Sequence, residues 1–138
     1  MNIYFACSIT GGRDDEVYYQ IIVDSLLADG HHVPTAHLSR PSVMSLEAVV
    51  DPVDVYTRDM SWIESCHALV AEVSTPSHGV GYEIASALTQ GKPVLCLHHE
   101  DTHVSKMITG NTDSRINVCT YCQKDDIPPL IRDFLAQL

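Results

Sequence analysis

Short apolar runs alternate along the chain with segments whose apolar residues recur every three or four positions. Ile3 to Cys7, Ala68 to Val73 and Val94 to Leu97 are apolar nearly without interruption, the pattern of strands buried on both faces. His32 to Thr35 and Ile116 to Tyr121 are weaker strand candidates. Val17, Tyr18, Ile21, Ile22, Ser25 and Leu26 form one helical stripe that Gly30 is placed to end. Tyr56, Met60 and Ile63 form a second, and Ile84, Ala85 and Leu88 a third that closes at Gly91 before Pro93. Val104 to Thr109 suits a short helix, and Ile127 to Leu138 a last one entered through Pro128 and Pro129. Strand and helix in alternation imply right-handed crossovers. The expected architecture is α/β, a doubly wound five-stranded parallel sheet covered on both sides, in one domain over residues 1–138. His37 to Asp54 reads as a long polar loop, a feature usually tied to function in a compact domain.

In a doubly wound sheet, ligands bind beyond the carboxyl ends of the strands. That rule groups Cys7 to Arg13 after the first strand, His37 after the second and Ser74 to Glu83 after the third, with Asp59 reaching in from the side of its helix. Ser8-Ile9-Thr10-Gly11-Gly12-Arg13 offers hydroxyls, bare amides and one guanidinium at the start of a helix, which suits a phosphate or carboxylate. Its glycine spacing is neither that of a dinucleotide fingerprint nor that of a Walker A loop. Ser74 to Ile84 runs from a strand through Pro76 and Gly79 into a helix, and is expected to place Glu83 in the first turn, where the dipole favours the ionised carboxylate. Such a group can serve as a nucleophile or a positioning anion; a Glu there can also do no more than complement the dipole.

Composition narrows the field. The chain has 138 residues, 45% hydrophobic and 19% charged, enough to bury one core without staples. A formal charge of -10 argues against a general nucleic-acid surface. Met1 to Cys7 shows neither a signal peptide nor a membrane span, so a soluble cytoplasmic protein is expected, with the nucleus open to a eukaryotic one. The five cysteines are an odd number, which suits reduced thiols better than a disulfide framework. Cys119-Thr120-Tyr121-Cys122 is a lone CxxC ending a strand, and His98, His99 and His103 lack acidic or Cys partners at helical spacing, so no metal site is expected.

Ile3-Tyr4-Phe5-Ala6-Cys7-Ser8-Ile9-Thr10-Gly11-Gly12-Arg13, Arg58-Asp59-Met60-Ser61-Trp62-Ile63, Val70-Ala71-Glu72-Val73 and Pro76-Ser77-His78-Gly79-Val80-Gly81-Tyr82-Glu83 together closely resemble the 2'-deoxynucleoside 5'-phosphate N-hydrolases of the nucleoside 2-deoxyribosyltransferase superfamily. Gly91-Lys92-Pro93-Val94-Leu95-Cys96-Leu97 and Asp113-Ser114-Arg115 extend the likeness over nearly the whole chain. The resemblance implies a Rossmann-like or flavodoxin-like three-layer sandwich and cleavage of the bond between base and deoxyribose in a nucleoside monophosphate. It makes Glu83 the nucleophile at C1', Asp59 the second acidic group, and Tyr4 a hydrogen-bonding group near the reacting carbons. Ser8, Ser77 and Gly79, with the loop Cys7, Ile9, Thr10, Gly11, Gly12 and Arg13, would bind substrate and its 5'-phosphate, and His37 would line the base pocket. Ser114 resembles a serine that reaches the phosphate of a neighbouring subunit, which implies a homodimer. Thr10 and Cys7 depart from the Arg and Gly of mammalian-like members.

The chemistry is that of a retaining N-glycosidase needing no metal or organic cofactor. A carboxylate beside C1' stabilises positive charge there and traps the sugar as an ester; a second acid protonates the leaving base and later activates water. Asp59 could instead be a surface residue paired with Arg58 or Lys106, and Tyr4 a plain core tyrosine. Three alternatives stay open: a deoxyribosyltransferase using the same ester, a hydrolase of CMP-like ribonucleotides, and a nucleotide sensor without turnover.

Overall fold

The computed structural model describes residues 1–12, 15–41 and 49–138; Arg13 and the middle of the expected 37–54 loop lie outside them. Four parallel strands, β1 (Ile3–Ala6), β2 (Ala68–Glu72), β3 (Val94–His99) and β4 (Ile116–Tyr121), form one sheet in that order. Helices α1 (Glu16–Ala28) and α5 (Ile127–Leu135) cover one face, and α2 (Pro52–Ser65) and α3 (His78–Thr89) the other. A short α4 (Lys106–Thr109) and 3₁₀ turns at Ala36–Ser39 and Lys124–Asp126 complete the order.

The alternation of side chains along each strand divides the core in two. Ile3 and Phe5 of β1, Ala68 and Val70 of β2, and Leu95 and Leu97 of β3 pack with Tyr19, Ile22 and Leu26 of α1 and with Ile131 and Phe134 of α5. Tyr4 and Ala6, Leu69 and Ala71, and Val94 and Cys96 face Ile63 of α2 and Ile84 and Leu88 of α3. By the same alternation, Tyr4 is directed toward α2 and α3, and Glu72, fully buried, toward α1.

The expected fifth strand is a single parallel bridge between Asn2 and His32 on the open edge of β1. Ile3 N donates to His32 O at 2.8 Å, but Pro34 has no N–H, and the next β1 donor, Phe5 N, goes to the Thr35 hydroxyl at 2.9 Å. A side chain thus replaces the ladder, and among the described residues the sheet has four strands rather than five. With the bridge counted, the chain passes from one edge of β1 to the other, so the switch in direction lies at the ends of β1 and β2.

Both described ends of the expected 37–54 loop fall in helical elements. His37 belongs to a 3₁₀ turn, and Pro52 opens α2 behind Asp51, whose carboxylate accepts from Val53 N at 2.8 Å. α3 ends as the sequence indicates, with Gly91 at φ +77. No helix among the described residues is long and apolar enough to cross a membrane.

Candidate active site

The start of α3 sets the position of the principal carboxylate. Ser77 caps the helix, its Oγ accepting from Val80 N at 3.4 Å, so α3 begins at His78 and Glu83 falls in the second turn rather than the first. Gly79 and Gly81 are helical here despite their low propensity, because the cap and the packing of Val80 and Ile84 fix the first turn. At that depth the electrostatics also differ from expectation. Burial pushes the Glu83 carboxyl up to about 7, and the nearby charge of Asp59 adds to the rise, while the hydrogen bond from Tyr4 works against it. Tyr4, wholly buried in β1, donates to Glu83 Oε1 at 2.6 Å. Its phenol is held far above the usual range by burial and by the charges of Glu83 and Asp59, so it remains a donor at any working pH.

Asp59 lies on α2 and is felt electrostatically by both Tyr4 and Glu83. It also accepts from Arg58 Nε at 2.9 Å, with side-chain exposures of 28% for Arg58 and 15% for Asp59, so the expected ion pair and the acidic pairing coexist. The Arg58 guanidinium stands 4.9 Å from the centre of the Trp62 ring, and His37 meets Trp62 edge-on at 6.2 Å. This joins His37 to the Asp59 side of the site.

The loops expected to form an anion site meet at Gly11 and Pro76. Ser8 is fully buried, and its Oγ has no hydrogen-bond partner among the described residues, which leaves both its donor and its acceptor capacity to a ligand. Gly11 sits so close to the third loop that a Cβ there would come 2.5 Å from Pro76 O and 2.8 Å from Ser8 Oγ. Gly12 has φ +125, a conformation that L side chains rarely adopt. Thr10, Gly11, Ser77 and His78 line a cleft of about 740 Å³ that extends over Val104, Ser105 and Ile108. Glu83 does not line that cleft. At about 100° per residue, Gly81 and Ala85, which do, lie on the opposite flank of α3. The cap of α3 therefore stands between this cleft and the half-buried Glu83 carboxylate.

Cys7 is buried, with its Sγ 3.8 Å from Leu38 O, and Ile9 is half-buried against the same apolar cluster. Gly79 follows the cap, with Ser77 Oγ the nearest atom to a Cβ placed there. Ser114 is not brought to this group. It precedes β4, at the amino ends of the strands beside Pro93 and Phe134, away from the carboxyl-end loops among the described residues. Two residues near these loops were not singled out by the sequence reading: Ser105, which lines the cleft and caps α4, and Glu72, a carboxylate inside an apolar strand. The signal for Glu72 was its position in the run from Ala68 to Val73, where a charge cannot be solvated and needs partners. No cluster of three or more His, Cys, Asp or Glu suited to a metal occurs among the described residues.

The nucleoside 2-deoxyribosyltransferase family description matches residues 3–123. The chain belongs to this family. A Methanosarcina mazei protein named as a candidate 2'-deoxynucleoside 5'-phosphate N-hydrolase is 39% identical over 137 residues, covering 99% of this chain and 85% of its own. The 5-hydroxymethyl-dUMP N-hydrolase of Mus musculus is 38% identical over 144 residues, covering 99% and 82%. Among solved structures, the CMP N-glycosidase BcmB of Clostridium botulinum superposes with a TM-score of 0.72 over 96% of this chain and 98% of its own at 19% identity, which shows a shared fold. In this member of the family the Tyr4–Glu83 pair and the Ser8, Gly11 and Ser77 loops occupy neighbouring strand ends, as the sheet topology requires.

Proposed function

We propose that the protein cleaves the N-glycosidic bond of 2'-deoxynucleoside 5'-monophosphates, releasing free base and 2-deoxyribose 5-phosphate. The observation that carries this reading is the Tyr4–Glu83 hydrogen bond of 2.6 Å, set one helix cap away from the unpartnered Ser8 hydroxyl. Homology to proteins named as nucleotide N-hydrolases supports the same reaction class.

In the proposed mechanism the 5'-phosphate binds Ser8, Ser77 and the amides of Ile9 to Gly11 and of Gly79, next to Gly12 and Thr10. Its binding energy orients the sugar. An ionised Glu83 oxygen attacks C1' as the bond to the base breaks; the bonding electrons leave with the base nitrogen, which takes a proton from Asp59. Tyr4 fixes the other Glu83 oxygen and disperses its charge. Water, deprotonated by Asp59, then attacks C1' of the sugar ester and frees Glu83. His37 with Trp62 lies on the side where the base would be held, and Cys7 and Ile9 support the loop beneath it. Ser114, at the far end of the sheet, could serve a phosphate only in a neighbouring copy, so a homodimer completes this reading.

A deoxyribosyltransferase is the second reading, favoured by the family description itself. The test is base release from deoxy- and ribonucleoside monophosphates and their nucleosides, each with and without a second free base. Free base plus sugar phosphate from deoxynucleotides supports the hydrolase. A new nucleotide or nucleoside containing the added base makes it a transferase, and cleavage of CMP would extend the substrates to ribonucleotides.

A further inference from the structure

The second buried carboxylate plays no part in that mechanism, yet it has more hydrogen-bond donors than Glu83 does. Glu72 ends β2 on the α1 face of the sheet and is fully buried. Ser74 donates to it twice, through its hydroxyl to Oε1 and through its amide to Oε1 at 3.3 Å and Oε2 at 3.2 Å. Tyr121 of β4 donates its hydroxyl to Oε1 at 2.9 Å. Ser74 Oγ in turn accepts from His99 N at 2.8 Å, so the β2–β3 pairing is carried one step past the strand by side chains. The adjacent Thr75 donates to Asp15 Oδ2, at the start of α1, at 2.7 Å.

These contacts hold successive residues of one short segment. Ser74 is tied to Glu72, Thr75 to Asp15, and the Pro76 carbonyl then abuts Gly11 closely enough that a Cβ would stand 2.5 Å away. Ser77 follows as the cap of α3. Every hydrogen bond that Glu72 makes among the described residues is one it accepts, the role that suits a carboxylate. An unpaired charge at this depth would be too costly to retain without such a network.

We propose that Glu72 is a positioning residue for phosphate: through Ser74 it holds the 74–77 segment against Gly11, and so sets the separation of Ser8 and Ser77 that receives the 5'-phosphate. The inference rests on the nucleotide reading given above. It assigns Glu72 no contact with substrate and no proton transfer in the reaction.

Glu72→Gln turns one acceptor into a donor facing donors, and Ser74→Ala removes the hydroxyl from the link, with its bonds to Glu72 and His99 N, while leaving the carboxylate partnered by the backbone amide at position 74 and by Tyr121. Both variants should raise KM for a deoxynucleoside monophosphate at least 10-fold and weaken binding of 2-deoxyribose 5-phosphate, measured calorimetrically, by a similar factor. The kcat should stay within about 3-fold, because Glu83 and Tyr4 lie on the other face. Leu26→Ala, a cavity in the same core away from the loop, serves as control and should lower Tm with phosphate binding unchanged at a temperature well below it. Folded Ser74→Ala protein with wild-type KM and phosphate affinity overturns the proposal, as does a loss matched by Leu26→Ala. If Glu72→Gln does not fold, the Ser74→Ala result decides. Wild-type protein that neither cleaves nucleotides nor binds the sugar phosphate overturns the nucleotide reading as well, whereas wild-type turnover with unaltered variants removes this inference alone.

Discussion

Tyr4 reaches Glu83 across 79 residues of sequence to donate a 2.6 Å hydrogen bond. The bond favours the ionised carboxylate against the burial that pushes it up to about 7. Tyr4→Phe removes that support, so the Glu83 pKa rises further and a smaller share is ionised at neutral pH. Turnover should fall roughly 10- to 100-fold near pH 7 and the acid limb of the pH–rate profile should move to higher pH. A profile that keeps its position would separate Tyr4 from the titration of Glu83.

Glu83→Ala removes the proposed nucleophile but leaves the Ser8 and Ser77 loops in place. It should fold, bind 2-deoxyribose 5-phosphate within about 3-fold of wild type, and lose at least 1,000-fold in kcat. Substantial turnover by this variant, measured as base release, would exclude the ester on Glu83.

Ser8→Ala deletes a buried hydroxyl that makes no hydrogen bond among the described residues. Removing an unpartnered hydroxyl costs the fold little, while a ligand loses a partner worth about 1 kcal/mol. Phosphate-bearing ligands should bind roughly 5- to 10-fold more weakly with Tm unchanged or slightly raised. A fall in Tm without a change in affinity would make Ser8 a packing residue.

Gly11→Ala drives a methyl to 2.5 Å from Pro76 O and 2.8 Å from Ser8 Oγ. The backbone carbonyl cannot move without the segment that bears Ser77. The variant should lose about 1–3 kcal/mol of stability and raise KM for a nucleotide by at least 10-fold. Unfolding curves and initial rates check both arms, and a normal KM would show the two loops to be less closely coupled than their contact indicates.

The two buried carboxyls also make stability depend on pH. Burial raises both Glu72 and Glu83 from an ordinary 4.5 to about 7; Tyr121 and Ser74 oppose the rise at Glu72 and Asp15 adds to it, as Tyr4 opposes and Asp59 adds at Glu83. The folded state thus binds protons more tightly than the unfolded chain, and the stability this confers is complete below pH 4.5 and lost as pH rises through 7. Tm should decline between pH 5 and 8, and Glu83→Gln should show a shallower decline in that window. An identical slope in the variant would mean that Glu83 does not titrate there.

Much of this arrangement was legible in the residues. The three apolar runs gave three strands and the weaker candidate Ile116 to Tyr121 the fourth, and the helical stripes gave the helices over them, because burial imposes both periods directly. The fifth strand failed locally: Pro34 lacks a donor, and Thr35 offers its hydroxyl where a carbonyl was expected. The start of α3 was misplaced because Gly79 and Gly81 look like loop residues until Ser77 is seen to cap them. That shift of less than two turns took Glu83 from a dipole-stabilised end into a buried flank, reversing the expected direction of its pKa. Strand-end topology brings Ser8 and Ser77 to neighbouring loops, but it could not tell that Glu83 lies on the opposite flank of α3 from the cleft that Ser77 lines. The role of Glu72 needed tertiary contacts, since its partners Tyr121 and Ser74 are remote and adjacent, respectively, and no local pattern joins them.

The pleat that sends Tyr4 and Phe5 to opposite faces of β1 has an evolutionary consequence. Arg58 and Trp62, beside the proposed base pocket, sit on α2, while the struts beneath the proposed phosphate loop come from α1 and β4, on the other face of the sheet. Changes around Arg58 and Trp62 can therefore alter which base is accepted without loosening the grip on the sugar phosphate. Selectivity and anchoring can diverge independently on the two sides of one strand.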